Sequence, residues 1–218
     1  MSKFTEPSWL FELKYHLWRR FRNPKYRSIR RFRREMQRAR PGGLMIDCGA
    51  NVGEVATLFL RKGFTVHAFE PDPDARAVLQ KRLGADPNLV VHPQAVGVRP
   101  GHATLFRKPK LDEKAVGGTQ SSSLVKRDLH ADAVEVEVID LAAFITGLGR
   151  RVDVVKLDIE GAEVDILEAM LETRFDRQIG QLLVETHERF SPELAARTAA
   201  IRARVRELGI ENIDLDWI

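Results

Sequence analysis

Leu44-Met45-Ile46-Asp47-Cys48-Gly49-Ala50-Asn51-Val52-Gly53 decides the fold. Its first half is a short apolar run, and the run stops in a turn carrying two glycines. A strand buried on both faces reads this way, and such strands belong to parallel sheets covered by helices. Helical spacing follows at once, with Val55, Leu58 and Phe59 inside 54–61. Further along, the spacing predicts a strand over 64–69, a helix over 74–83 and a third strand over 89–91. Glu70-Pro71-Asp72-Pro73-Asp74 offers that helix an Asp cap and a proline near its first turn. The alternation then breaks: 95–98 and 103–106, around Arg99-Pro100-Gly101, predict a hairpin. Residues 107–123 are polar, and Val134-Glu135-Val136-Glu137-Val138 alternates with period two, as a strand with one wet face would. A helix over 141–148, a strand over 152–157, a helix over 164–175, a strand over 179–184, a helix over 192–208 and a strand over 213–217 complete the pattern. The fold class expected is α/β, a doubly wound, mostly parallel sheet with helices on both faces.

The chain has 218 residues, 44% hydrophobic and 30% charged, enough apolar material for one full core. A single cysteine leaves no internal disulfide, so a reducing, cytoplasmic setting is expected. No run of 18 apolar residues occurs, and the N-terminus has no apolar stretch of signal-peptide length. The net charge of +4 hides an asymmetry. Residues 1–40 carry 13 Lys and Arg against 3 Asp and Glu, a net of +10, whereas the remainder carries 22 against 28, a net of −6. Pro41-Gly42-Gly43 marks a boundary between a basic extension, 1–40, and a body, 41–218. Trp9, Leu10, Leu13, Leu17, Trp18 and Phe21 recur at helical spacing beside Lys14, Arg19, Arg20 and Arg22. A second, Arg-rich helical stretch runs over 26–38. Such basic amphipathic helices can pack their apolar face on the body, lie on an anionic membrane surface, or meet a phosphorylated acceptor.

In doubly wound sheets, ligands bind beyond the carboxyl ends of the strands. Those ends carry Asp47, Glu70, His92 to Gln94, Asp158 and Glu185. The turn after Asp47 has glycines spaced G-x-x-x-G, which is not the G-x-G-x-x-G dinucleotide pattern. A carboxylate two residues before the first glycine suits a ligand bearing an ammonium and would repel a pyrophosphate, which opposes a nicotinamide-dependent oxidoreductase. Glu70, 17 residues past Gly53, can bind both hydroxyls of a ribose. An acid near an amino group, glycines along a tail and an acid on a ribose together describe S-adenosylmethionine.

The sequence resembles the FkbM family of S-adenosylmethionine-dependent methyltransferases over about residues 44–210. The blocks that carry the resemblance are Ile46 to Gly53, Ala68-Phe69-Glu70-Pro71-Asp72-Pro73, His92-Pro93-Gln94-Ala95-Val96-Gly97, Ser121-Ser122-Ser123, Val138-Ile139-Asp140-Leu141, Asp153 to Glu163, and Glu185-Thr186-His187. The resemblance implies the class I methyltransferase form of the Rossmann-like fold, with 41–218 as the methyltransferase domain. It also implies that Asp47, Gly49, Asn51 and Gly53 line the methionine part and that Glu70 takes the ribose. Pro71 and Asp72 would border the adenine, Gln94 and Ala95 would contact its edge, and Asp158 would lie under the reacting end. Asp158, Glu185 and His187 are the catalytic candidates, because an attacking alcohol must lose its proton. Holding a divalent cation is a second use for the same three residues. Lys156, two residues before Asp158 on a strand, shares its face and could neutralise part of the cluster. Glu163 reads as a first-turn helix acid, and Cys48 as a small packed residue.

The activity implied is O-methylation of a hydroxyl on a sugar, glycan or natural product, with a small molecule or glycan as partner. Asp158-Ile159-Glu160-Gly161 stands where a nucleobase amine methyltransferase would carry an Asn/Asp-Pro-Pro-Tyr/Phe motif, which counts against a nucleic-acid acceptor. The alternative function class is a non-catalytic nucleic-acid or membrane-surface adaptor working through the basic segment. A cytoplasmic protein, peripheral to the membrane if that segment meets lipid, is the matching expectation.

Overall fold

The computed structural model describes Met36, residues 41–107 and residues 132–217. Apart from Met36, the two basic helical stretches lie outside the described residues, as do most of the 107–123 loop and Ser121 to Ser123.

The expected alternation is found. Strand β1 is Leu44–Cys48, followed by α1 (Glu54–Leu60), β2 (Thr65–Phe69), α2 (Pro73–Leu83) and β3 (Leu89–His92). Then come β4 (Ala95–Gly97), β5 (Gly101–Arg107), β6 (Asp132–Asp140), α3 (Leu141–Gly147) and β7 (Val152–Leu157). Helix α4 (Glu163–Thr173), β8 (Ile179–Val184), α5 (Pro192–Glu207) and β9 (Ile213–Asp214) end the chain. Six strands form one sheet in the order β3-β2-β1-β7-β8-β9. Every neighbouring pair in it is parallel. This is a doubly wound, Rossmann-like sheet.

Alternating side chains explain its two cores. Leu44, Ile46 and Cys48 of β1 face one way and pack with Val164, Leu167 and Met170 of α4, Ile201 and Val205 of α5, and Leu141 and Ile145 of α3. Met45 faces the other way, with Val66, Ala68, Phe59 of α1, Leu79 of α2 and Trp217. Helix starts follow local chemistry. Asp72 caps α2 by accepting from the Asp74 backbone N–H at 2.9 Å, with Pro73 as the first helical residue. Asp140 and Ser191 cap α3 and α5 likewise. Each such cap is worth about 1 kcal/mol. Among the described residues no helix is long and apolar enough to cross a membrane.

Two expectations are corrected. Strands β4 and β5 do not form a hairpin: a three-stranded sheet has the order β4-β6-β5, with β6 parallel to β4 and antiparallel to β5. Strand β6 lies between them and takes the backbone hydrogen bonds that they would have exchanged with each other. The last strand is also shorter than 213–217. Asp214 Oδ1 accepts from the Asp216 N–H at 3.1 Å, and this side-chain turn takes the backbone off the sheet.

Candidate active site

The order of the large sheet reverses between β1 and β7, which opens a crevice beyond their carboxyl ends. The backbone there is tightly drawn together. Gly49 has φ +77°, and a Cβ on it would strike the carbonyl oxygen of Asp158. The Asp158 N–H donates to the Cys48 carbonyl at 3.1 Å, and the Gly49 and Ala50 N–H groups both donate to the Phe69 carbonyl at 3.0 Å. Only glycine allows that approach. Asn51 and Glu160 border the same cleft with left-handed φ of 51° and 59°. Non-glycine residues take that conformation uncommonly, Asn more readily than most.

Glu70 leaves β2 into this cleft and is nearly buried. Its Oε2 accepts from the Asn51 N–H at 2.6 Å and its Oε1 from the Asp72 N–H at 2.9 Å. Each carboxylate oxygen therefore uses one acceptor position on the backbone, and a carboxylate has about four. Burial pushes its pKa up to about 7, against the pull of those two N–H groups.

The opposite wall comes from the small sheet, through Ala95, Val96 and Leu105. Arg107, ending β5, ties that sheet to the start of α2 by pairing with Asp72 Oδ2 at 3.3 Å and with Asp74. Of the residues predicted to hold the cofactor, Gly49, Asn51, Glu70, Pro71, Asp72, Gln94, Ala95 and Asp158 all line the cleft. Asp47 and Gly53 do not. Asp47 is fully buried, with its Oδ1 3.2 Å from Lys156 Nζ. Gly53 has φ +81°, and a Cβ on it would strike Leu83 and crowd Leu79 of α2. His92 is also packed rather than open to the cleft: its ring stacks on Phe69 at 4.3 Å and meets His67 Nδ1 at 2.9 Å. Burial, then the neighbouring imidazole, pushes its pKa down to about 4.

At the other end of the cleft stand the acids. Lys156 Nζ bridges Asp47 and Asp158 Oδ2, each at 3.2 Å, and donates to the Gly49 carbonyl at 2.9 Å. Burial opposes the ammonium, but the two carboxylates outweigh it and raise its pKa, so Lys156 stays charged. His187 is 1% exposed, and its Nε2 faces Glu160 Oε2 at 3.5 Å, Asp158 Oδ1 at 3.8 Å and Glu185 Oε1 at 4.0 Å. One ligand atom each from Asp158, Glu185 and His187 fall within 4.8 Å of one another, so the three catalytic and cation candidates do converge. Glu163 is more than a first-turn acid: it is wholly buried and its Oε1 meets His187 Nδ1 at 3.0 Å. Cys48 is buried as expected, and burial pushes its thiol pKa up.

The methyltransferase FkbM domain, as a family profile, matches residues 47–211, more than half of the chain. The chain belongs to the FkbM methyltransferase family. Among curated relatives, Methyltransferase 1 of Beauveria bassiana is 26% identical over 156 residues, which are 61% of this chain and 60% of that protein. Methyltransferase sdnD of Sordaria araneosa is 28% identical over 174 residues, 66% of each chain. The hexuronic acid methyltransferase AglP of Haloferax volcanii is 24% identical over 187 residues, 84% of this chain and 72% of AglP. The chain spans less than two thirds of the length of the first two of these relatives.

Proposed function

We propose that this FkbM-family chain moves the methyl group of S-adenosylmethionine to a hydroxyl oxygen of a sugar, glycan or natural product. The observation that carries the proposal is the Glu70 carboxylate. It is fixed by two backbone N–H groups at the switch-point cleft, with acceptor capacity left for a vicinal diol. Gly49 and Asn51 would flank the amino-acid tail, Pro71 and Asp72 the adenine, and Gln94 and Ala95 its edge. Bound there, S-adenosylmethionine supplies an electrophilic methyl on a sulfonium, whose C–S electron pair returns to sulfur.

The remaining chemistry belongs to the chain. Asp158 Oδ1 and His187 Nε2 are 3.8 Å apart, so a hydroxyl oxygen seated between them is in hydrogen-bond reach of both. Asp158 orients that hydroxyl, and His187 Nε2 takes its proton as the new O–C bond forms. Glu160 and Glu185 face the imidazolium that results. Lys156 keeps the charge of Asp158 balanced meanwhile. The likeness to a hexuronic acid methyltransferase favours a sugar as acceptor. A phosphorylated or lipid-linked glycan would complement the +10 charge of residues 1–40. The test is transfer of labelled methyl from S-adenosylmethionine to a panel of uronic acids, neutral sugars, lipid-linked glycans and amines. Label on a hydroxyl oxygen is expected; label on amines alone, or on nothing, would overturn the proposal.

A further inference from the structure

Glu163 opens α4 with no exposed surface, yet it carries a carboxylate. A buried carboxylate is tolerated only when hydrogen bonds replace its water. Here three do. Gly161, at φ +111°, turns its N–H onto Glu163 Oε2 at 2.8 Å. The His187 N–H donates to Oε1 at 3.1 Å, and His187 Nδ1 meets the same oxygen at 3.0 Å. Gly161 follows β7, and His187 follows β8, so one side chain pins the loops beyond two adjacent strands.

We infer that Glu163 is the positioning residue that fixes His187 as its Nδ1–H tautomer and aims the Nε2 lone pair at the cleft, an inference resting on the function proposed above. The physical ground is that a carboxylate only accepts. Nδ1 must therefore carry the proton, and in the neutral ring the lone pair is left on Nε2. That nitrogen points at Asp158, Glu160 and Glu185, while Phe190 packs on the ring at 4.8 Å. After the transfer the hydroxyl's proton rests on Nε2, and Glu163 remains a carboxylate facing an imidazolium. Lys156 cannot serve His187 in this way, since an ammonium only donates. Burial opposes the imidazolium, but the Glu163 hydrogen bond and the charges of Glu163, Glu160 and Asp158 outweigh it and raise the His187 pKa. The two motifs Asp158-Ile159-Glu160-Gly161-Ala162-Glu163 and Glu185-Thr186-His187 are thereby parts of one device.

The test begins with the full chain, unaltered. At a pH above the raised His187 pKa, 15N-detected histidine spectra read which ring nitrogen is protonated. An Nδ1–H signature is expected, and an Nε2–H signature overturns the inference without any variant. Glu163→Gln is the second arm. A glutamine offers one oxygen, so its NH2 must face either the Gly161 N–H or the two His187 donors. Turnover is expected to fall about a hundredfold or more. Affinity for S-adenosylhomocysteine should stay within about twofold, and KM for the acceptor should hardly move. Glu163→Asp, which keeps the charge, should recover part of the loss. If Glu163→Gln turns over within about threefold of the parent, Glu163 is structural only and the inference fails. Should that variant not fold, the parent spectrum decides. If the parent itself fails to bind S-adenosylhomocysteine, the proposed function falls, whereas the tautomer readout stands or falls separately.

Discussion

Lowering the pH should loosen the cofactor through Glu70. The folded carboxyl has a pKa of about 7 against an ordinary 4.5, raised first by burial and also by the Asp72 charge. The Asp72 and Asn51 N–H groups and the Lys156 charge pull it back. A ribose diol donates two hydrogen bonds, so only the ionised form receives both. Above pH 8 nearly every molecule is ready; at pH 6 about one in ten is. Affinity for S-adenosylhomocysteine should therefore fall about tenfold, or about 1.4 kcal/mol, between pH 8 and pH 6. Stability carries the opposite sign. Because the folded pKa is raised, the cofactor-free protein gains from this group below pH 4.5 and loses that gain as the pH climbs through about 7. Titration calorimetry at half-unit steps reads the first effect. Glu70→Gln supplies the control, since it should bind weakly at pH 8 and show no such slope. A flat affinity from pH 8 to pH 6, or the same slope in the variant, would refute the reasoning.

Gly49→Ala should lower the melting temperature and abolish cofactor binding, because its methyl meets the Asp158 carbonyl in a left-handed turn. Gly42→Ala is the matched control: φ is +85° with nothing near the added carbon, so about 1–2 kcal/mol of strain and intact binding are expected. Lys156→Met strands a buried Asp47 and should cost about 3–5 kcal/mol, read by thermal or urea unfolding; Asp47→Asn in the same chain should restore part of it. Proton transfer to His187 needs no cation, so an excess of chelator should leave initial rates unchanged. Removing residues 1–40 should raise KM for an anionic glycan acceptor and leave S-adenosylhomocysteine affinity as it was, in kinetics on the two chain lengths.

Local chemistry was legible in the sequence because it needs only neighbours. The apolar run of β1, the Asp72-Pro73 start of α2 and the acids at strand ends are properties of a few consecutive residues. From them the order of elements follows, and so does most of the cleft's Gly49, Glu70 and Asp158 floor. What was not legible depended on distant partners. Residues 95–98 and 103–106 look like a hairpin until β6, some thirty residues later, inserts between them. Asp47 looks like a ligand for an ammonium, and it has one, but the ammonium is Lys156 on the neighbouring strand. Leu105 and Val96 wall the cleft from a sheet that Arg107 ties to the start of α2, which no periodicity signals. Glu163 and His187 lie 24 residues apart, and only the parallel pairing of β7 and β8 joins them.

A crystal structure grown with S-adenosylhomocysteine tests the central claim most directly. The ribose hydroxyls should sit on the two oxygens of Glu70, with the sulfur turned toward Asp158 and His187. Electron density for the ligand elsewhere on the chain, or a cleft that stays empty at saturating concentration, would contradict it.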